Sequence, residues 1–158
     1  MELDKFDLAI LEALQKDARI SLQELGKQVG LTSSPCWNRI RRMEEAGVIE
    51  GYSVRINPEK IGLTETVILH VTIDSHSDEA LFEFGQALEG IPEVLEAFLV
   101  SGDYDYYIRV AVEGTRGYER FLRERLYKIP GIRNSKSSFV LRRLKQSQLP
   151  LKRPVKDE

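Results

Sequence analysis

Residues 88 to 94 read LEGIPEV and residues 126 to 132 read LYKIPGI, so leucine, Ile-Pro and a β-branched residue recur at identical spacing. Each copy falls where a helical pattern ends and a strand pattern begins. A duplicated helix-to-strand junction restricts the fold sharply, because two βαβ halves of similar length close into one sheet of ferredoxin-like order. The neighbouring segments agree. TETVILHVTI alternates, with Val67, Leu69, Val71 and Ile73 on one face. SDEALFEFGQALEG has helical spacing, with Ser77 or Asp78 as cap and Leu81, Phe84 or Gly85, and Leu88 facing inward. VLEAFLVSG and YYIRVAVE read as strands joined by the turn GDYD; TRGYERFLRERLYKI is a second helix and RNSKSSFVLRRL a last strand. Two helices cover only one face of such a sheet. The other, carrying Ile68, Glu96, Phe98 or their alternates, is expected to need a second copy of the chain.

Upstream the period changes. Asp4 caps a helix with Asp7 three residues on and Phe6, Ile10 and Leu14 at helical spacing, ending near Asp17. A second helix opens at Ser21 with Glu24 completing a capping box, turns Leu22, Leu25 and Val29 inward, and stops at Gly30. The third, TSSPCWNRIRRM, has Thr32 as cap and Pro35 in its first turn, with Gly47 beyond its end. Cys36, Ile40 and Met43 fall on one side, so Ser34, Trp37, Asn38 and Arg41 fall on the other, with Arg42 at its margin. Two short helices, the turn GLTS and a third helix with a basic outer face describe a helix-turn-helix, followed by VIEGYSVRI as a short strand or wing.

That outer face has two readings. An arginine cluster is commonly a solvated face, here paired with Glu44 and Glu45. The alternative is double-stranded DNA, whose phosphates attract arginine while Thr32, Ser33, Ser34, Trp37, Asn38, Arg41 and Arg42 stand near the helix start and along its outer side. An exposed tryptophan within a polar face favours the second. Arg39 points sideways and is as consistent with a helix–helix salt bridge as with a phosphate contact.

Net charge is −2, but residues 1 to 58 carry −1, residues 59 to 132 carry −7 and residues 133 to 158 carry +6. Overall charge therefore neither supports nor excludes a polyanion partner. One cysteine, Cys36, permits no internal disulfide and sits on the apolar face, where it reads as a core residue rather than a reactive thiol. The opening residues lack a signal-peptide pattern and no apolar run is long enough to span a membrane, so a soluble, cytoplasmic protein is expected. The basic tail from Arg142 to Lys156 reads as a solvated extension with a secondary nucleic-acid contact as the alternative.

In SGDYDYYIRV, Asp103 and Asp105 flank Tyr104, and Gly102 lets backbone N–H groups approach a ligand. Acid–base catalysis is disfavoured, since no nucleophile or histidine is expected beside the carboxylates. His70 and His76 are not expected to join them as metal ligands, so neither a metal nor a cofactor is expected. A plain hairpin turn is one reading. The preferred reading is a zwitterion site, with carboxylate for an ammonium group, N–H groups for a carboxylate, and hydroxyls from Ser135 and Ser137 on the last strand.

These elements together resemble the Lrp/AsnC family of bacterial and archaeal transcription regulators. The resemblance is carried by LDKFDLAILEALQKDARIS, ELGKQVGLTSSPCWNRIRRMEEAGVIEGYSVRINPEKIGL, VSGDYDYYIRV and IPGIRNSKSSFVL, and covers nearly the whole chain. PCW and SSF look like the leucine-responsive branch, although Ser135 and Ser137 stand where the family often has threonine. The resemblance implies an α+β fold: a winged helix-turn-helix over residues 1-52, a linker over 53-63, a ferredoxin-like βαββαβ ligand-sensing domain over 64-144, and the basic tail over 145-158. It further implies a homodimer, assembling further into an octamer, with amino-acid effectors at subunit contacts around Gly102 to Asp105. The expected function is amino-acid-responsive, allosteric regulation of amino-acid metabolism. The rival is an amino-acid-binding module or small metabolic enzyme whose helical domain only mediates assembly.

Overall fold

Helix caps and alternating apolar residues divide the chain into two compact units, Met1–Arg55 and Ile56–Leu144, with the described tail from Lys145 grouped with the first. The computed structural model describes residues 1–146 and 148–151, so the basic tail expected from Arg142 to Lys156 lies partly outside the described residues. Gln146 accepts a hydrogen bond from Arg55 at 3.4 Å, which ties one tail residue to the first unit.

In the first unit α1 spans Lys5–Lys16, α2 Leu22–Val29 and α3 Ser33–Glu45. Asp4 and Asp7 form a reciprocal capping box at the start of α1. Ser21 accepts from the Glu24 N–H at the start of α2, and Gly30 ends it in the left-handed region at φ 74°. None of these short helices is stable alone. They are held by a shared core of Ile10, Ala13, Leu25, Cys36 and Met43, all buried. Gly26 allows the tight turn: a Cβ there would lie 2.6 Å from the Leu31 carbonyl oxygen. Of the two readings of VIEGYSVRI, a short strand or a wing, the strand is not formed. Val54 and Ile56 are exposed in a segment without regular structure, where no neighbouring strand is present to form a ladder.

The second unit has the order β1 (Glu65–Ile73), α4 (Asp78–Glu89), β2 (Val94–Leu99), β3 (Tyr106–Val112), α5 (Gly114–Glu124) and β4 (Ile132–Phe139). The sheet runs β2-β3-β1-β4 with every neighbouring pair antiparallel, the ferredoxin-like order. Val67, Leu69, Val71 and Ile73 meet Ile108, Val110, Phe84, Leu88 and Phe121 in its core. The opposite face carries Ile68, Glu96, Phe98, Tyr107 and Arg109, with Phe98 exposed. Two expected boundaries shift. The second helix ends at Glu124 and a 3-10 turn, Leu126–Lys128, swings Leu126 into the core. The last strand stops at Phe139, which pairs with Val67, instead of running to Leu144; β1 begins at Glu65, two residues before Val67, and so offers β4 no partner beyond Leu141.

Candidate recognition helix and effector turn

The face of α3 opposite Cys36 and Met43 is open to solvent along Thr32, Ser33, Ser34, Trp37, Asn38 and Arg41. Thr32 adopts the extended N-cap backbone, but its side chain makes no capping hydrogen bond. Trp37 remains 48 % exposed, and the Arg41 guanidinium lies over its ring at 5.5 Å. Arg41 also donates to Glu45 at 2.8 Å, so part of the solvated-pair arrangement is present. Glu44 instead accepts from the Tyr52 hydroxyl, and burial together with this bond pushes that phenol up to about 12.

The other two arginines turn toward α1. Arg39 places Nη1 2.7 Å from both Asp4 Oδ2 and Asp7 Oδ1, and Arg42 donates to Asp7 Oδ2 at 2.8 Å. Asp7 is fully buried, so these contacts neutralise a charge held in the helix junction. Arg39 is thus the helix–helix salt bridge. Arg42, expected at the margin of the outer face, has an exposed side chain whose guanidinium is engaged with that junction. Burial pushes the Cys36 thiol up, as suits a core cysteine.

At the second location Gly102 takes φ 126° and Asp103 is exposed. Tyr104 packs its ring on His70 at 4.9 Å. Asp105 is the anchor of the turn: its N–H donates to the Val71 carbonyl at 3.0 Å and its own carbonyl accepts from Val100 at 2.9 Å. Its carboxylate accepts from the Ile73 N–H at 2.8 Å through Oδ2, and Oδ1 lies 2.8 Å from His76 Nε2. Burial alone raises this carboxyl, but the Ile73 and His76 bonds, with the Arg133 charge, hold it below the usual range. A histidine therefore does stand beside the turn, contrary to expectation. The 29 residues between His76 and Asp105 hid the pair from a spacing argument. Among the described residues no cluster of three or more His, Cys, Asp or Glu side chains is placed to hold a metal ion.

Ser135 and Ser137 do share a face of β4, opposite Val71 and Leu69. Their hydroxyls meet tyrosines that sequence reasoning did not single out, Ser137 with Tyr118 at 2.5 Å and Ser135 with Tyr127 at 3.1 Å. Within one chain they do not join Asp105. β1 lies between β3 and β4, a separation of about 10 Å across two strand spacings.

Comparison with known proteins gives this arrangement a class. Residues 3–50 match a family model described as winged helix-turn-helix DNA-binding, and residues 66–150 match the Lrp/AsnC ligand binding domain. Leucine-responsive regulatory proteins of Klebsiella pneumoniae and Escherichia coli K12 are each 37 % identical over 146 residues, covering 92 % of this chain and 89 % of theirs. Among solved structures, an AsnC family regulator of Agrobacterium tumefaciens superposes with TM-score 0.89 at 38 % identity, covering 94 % of this chain and 97 % of that one. A Neisseria meningitidis transcriptional regulator in complex with L-methionine gives TM-score 0.89 at 32 % identity, with 95 % and 97 % covered. A feast or famine regulatory protein of Mycobacterium tuberculosis complexed with L-methionine gives 0.85 at 30 % identity, with 96 % and 100 % covered. The fold and its two units define a transcription regulator that joins a DNA-binding helix-turn-helix to a ligand-binding α+β domain, not an enzyme. The chain belongs to the Lrp/AsnC family.

Proposed function

We propose that the protein is a cytoplasmic, amino-acid-responsive regulator of genes of amino-acid metabolism. One observation carries the reading: a single chain joins an exposed Trp-Asn-Arg helix face to a separate sheet unit that matches a ligand-binding family model. Thr32, Ser33, Ser34, Trp37, Asn38 and Arg41, with the outer part of Arg42, meet double-stranded DNA. Gly102, Asp103, Tyr104 and Asp105 bind the effector, and Ser135 and Ser137 contribute from β4 of another copy. The separation of the two groups by β1 within one chain supports a contribution from another copy. The L-methionine bound by two structural relatives supports an amino acid as the effector class. The uncovered sheet face supports a homodimer, with an octamer as the larger assembly. Among the described residues no helix is long and apolar enough to cross a membrane.

The test has two arms. Selection from a random duplex library, followed by a salt titration of the selected DNA, is expected to show log affinity falling linearly with log salt, as phosphate contacts require. Thermal-shift screening of the free amino acids is expected to find at least one that raises the melting temperature, because a native-state ligand must do so. Binding to no duplex would remove the regulatory reading, and stabilisation by no amino acid would remove the effector.

A further inference from the structure

The carboxylate assigned to the effector's ammonium group is already occupied. Asp105 Oδ2 is fixed by the Ile73 N–H, whereas Oδ1 meets the imidazole of His76 at 2.8 Å. The two partners differ in their freedom. Ile73 is part of β1, but His76 sits in the loop between β1 and α4, with its side chain 57 % exposed against 16 % for Asp105. Rotation of the imidazole into solvent uncovers Oδ1 without disturbing the strand. We propose that His76 is a proton-dependent competitor for the effector's ammonium group, displaced from Asp105 when an amino acid binds at the GDYD turn. This inference rests on the reading of that turn as the effector site.

The charges around His76 set the direction. Besides Asp105, the chain places Asp74 two residues before His76 in the same loop and Asp78 and Glu79 just after it in the first turn of α4, while Asp103 lies two residues before Asp105 in the turn and the charge of Arg133 on β4 acts on Asp105. Arg133 is engaged by Asp74, with its Nε 3.2 Å from Oδ1. An acidic surrounding attracts imidazolium and ammonium alike, so the two cations contend for one acceptor. An imidazolium holds Oδ1 with a bond between two charged groups, and a neutral imidazole with a weaker one in which only the carboxylate is charged. Effector binding therefore strengthens as pH rises through the histidine range, and releases a proton only within that range, where the displaced imidazole no longer has the carboxylate to hold its proton.

Calorimetric titration of L-methionine, and of the tightest amino acid from the thermal-shift screen, into the full chain at about pH 5.5 and about pH 7 tests this. The sequence has two histidines, and His70 packs on Tyr104 of the same turn, so variants of both are needed. The parent is expected to bind about three- to ten-fold more tightly at the higher pH. Two buffers of different ionisation enthalpy are expected to reveal the released proton. His76→Ala is expected to bind more tightly than the parent at low pH and to lose the pH dependence. His76→Gln, which keeps a donor but cannot charge, is also expected to be pH-independent, while His70→Gln keeps the parent's profile. A pH-independent parent, a pH profile retained in His76→Ala, or a profile lost only in His70→Gln would each overturn the competition. If no amino acid binds parent or variant at either pH, the effector reading fails and this inference with it; effector binding that is indifferent to His76 removes this inference alone.

Discussion

Asp7 shows how one buried carboxylate can organise a helix junction. It accepts from the Asp4 N–H, from Arg39 and from Arg42, joining the start of α1 to the middle of α3. Asp7→Ala would leave two guanidinium groups facing an apolar methyl, and is expected to cost about 3 kcal/mol of stability by urea unfolding. Asp4 is held below its ordinary range chiefly by the Asp7 N–H, and Glu96 by the hydrogen bond from Arg109. A carboxyl lowered in the folded state stabilises fully above its unfolded value of about 3.9 to 4.3 and loses that contribution as pH falls through the folded value. These two contributions are therefore expected to be constant above about pH 5 and to be lost progressively as pH falls below about 4, as a pH series of urea midpoints would show. On the outer face Arg41→Ala is expected to weaken duplex binding and reduce its salt slope by about one. Asn38→Ala is expected to relax preference by about 1 to 3 kcal/mol at one base position. Arg42→Ala, removing a partner of Asp7, is expected to lower stability as well as binding. Parallel unfolding and duplex titrations separate these effects.

At the scale of elements, the α2–α3 turn depends on a residue that local patterning passes over. Gly26 has no unusual dihedral and lies inside a helix, where glycine is ordinarily unfavourable. Its role is the close approach of the Leu31 carbonyl, which also lies beside Thr32 at the start of α3. Gly26→Ala gains helix propensity but forces two backbones apart, and is expected to be destabilising by about 1 to 3 kcal/mol. Chemical denaturation and duplex binding measured on the same variant would check it; an unchanged midpoint would show that the turn yields freely. The β1–α4 loop is the counterpart in the sheet unit. Its conformation is set by Asp105 through the Ile73 N–H and His76, so the effector turn and this loop form one local structure.

For the whole molecule, exposed Phe98 on β2, on the sheet face the helices leave uncovered with Ile68 and Tyr107, is the main argument for association. The fragment Ile56–Leu144 is a compact unit with its own core, and is expected to self-associate when isolated. Sedimentation of a folded fragment that stayed monomeric at high concentration would place dimerisation elsewhere. With one recognition helix per chain, a dimer is expected to bind paired half-sites separated by about 10 base pairs or a multiple of it. Footprinting would reveal the spacing.

Much of this was written locally in the sequence. Asp4, Ser21 and Gly30 mark helix ends through bonds and dihedrals within a few residues, and the alternation from Val67 to Ile73 marks the buried face of β1. The ferredoxin-like order followed from the LEGIPEV and LYKIPGI echo because a duplicated junction constrains how strands can return. Other features depended on partners far along the chain. The length of β4 was limited by where β1 begins, and the strand after α3 was not formed where no neighbour was present. Arg42, at the margin of the outer face, acquired buried Asp7 as a partner across 35 residues, and Asp105 acquired His76 across 29. A side chain's residue type is fixed by the sequence, but the direction of its charge is decided by which opposite group the fold places within hydrogen-bond reach.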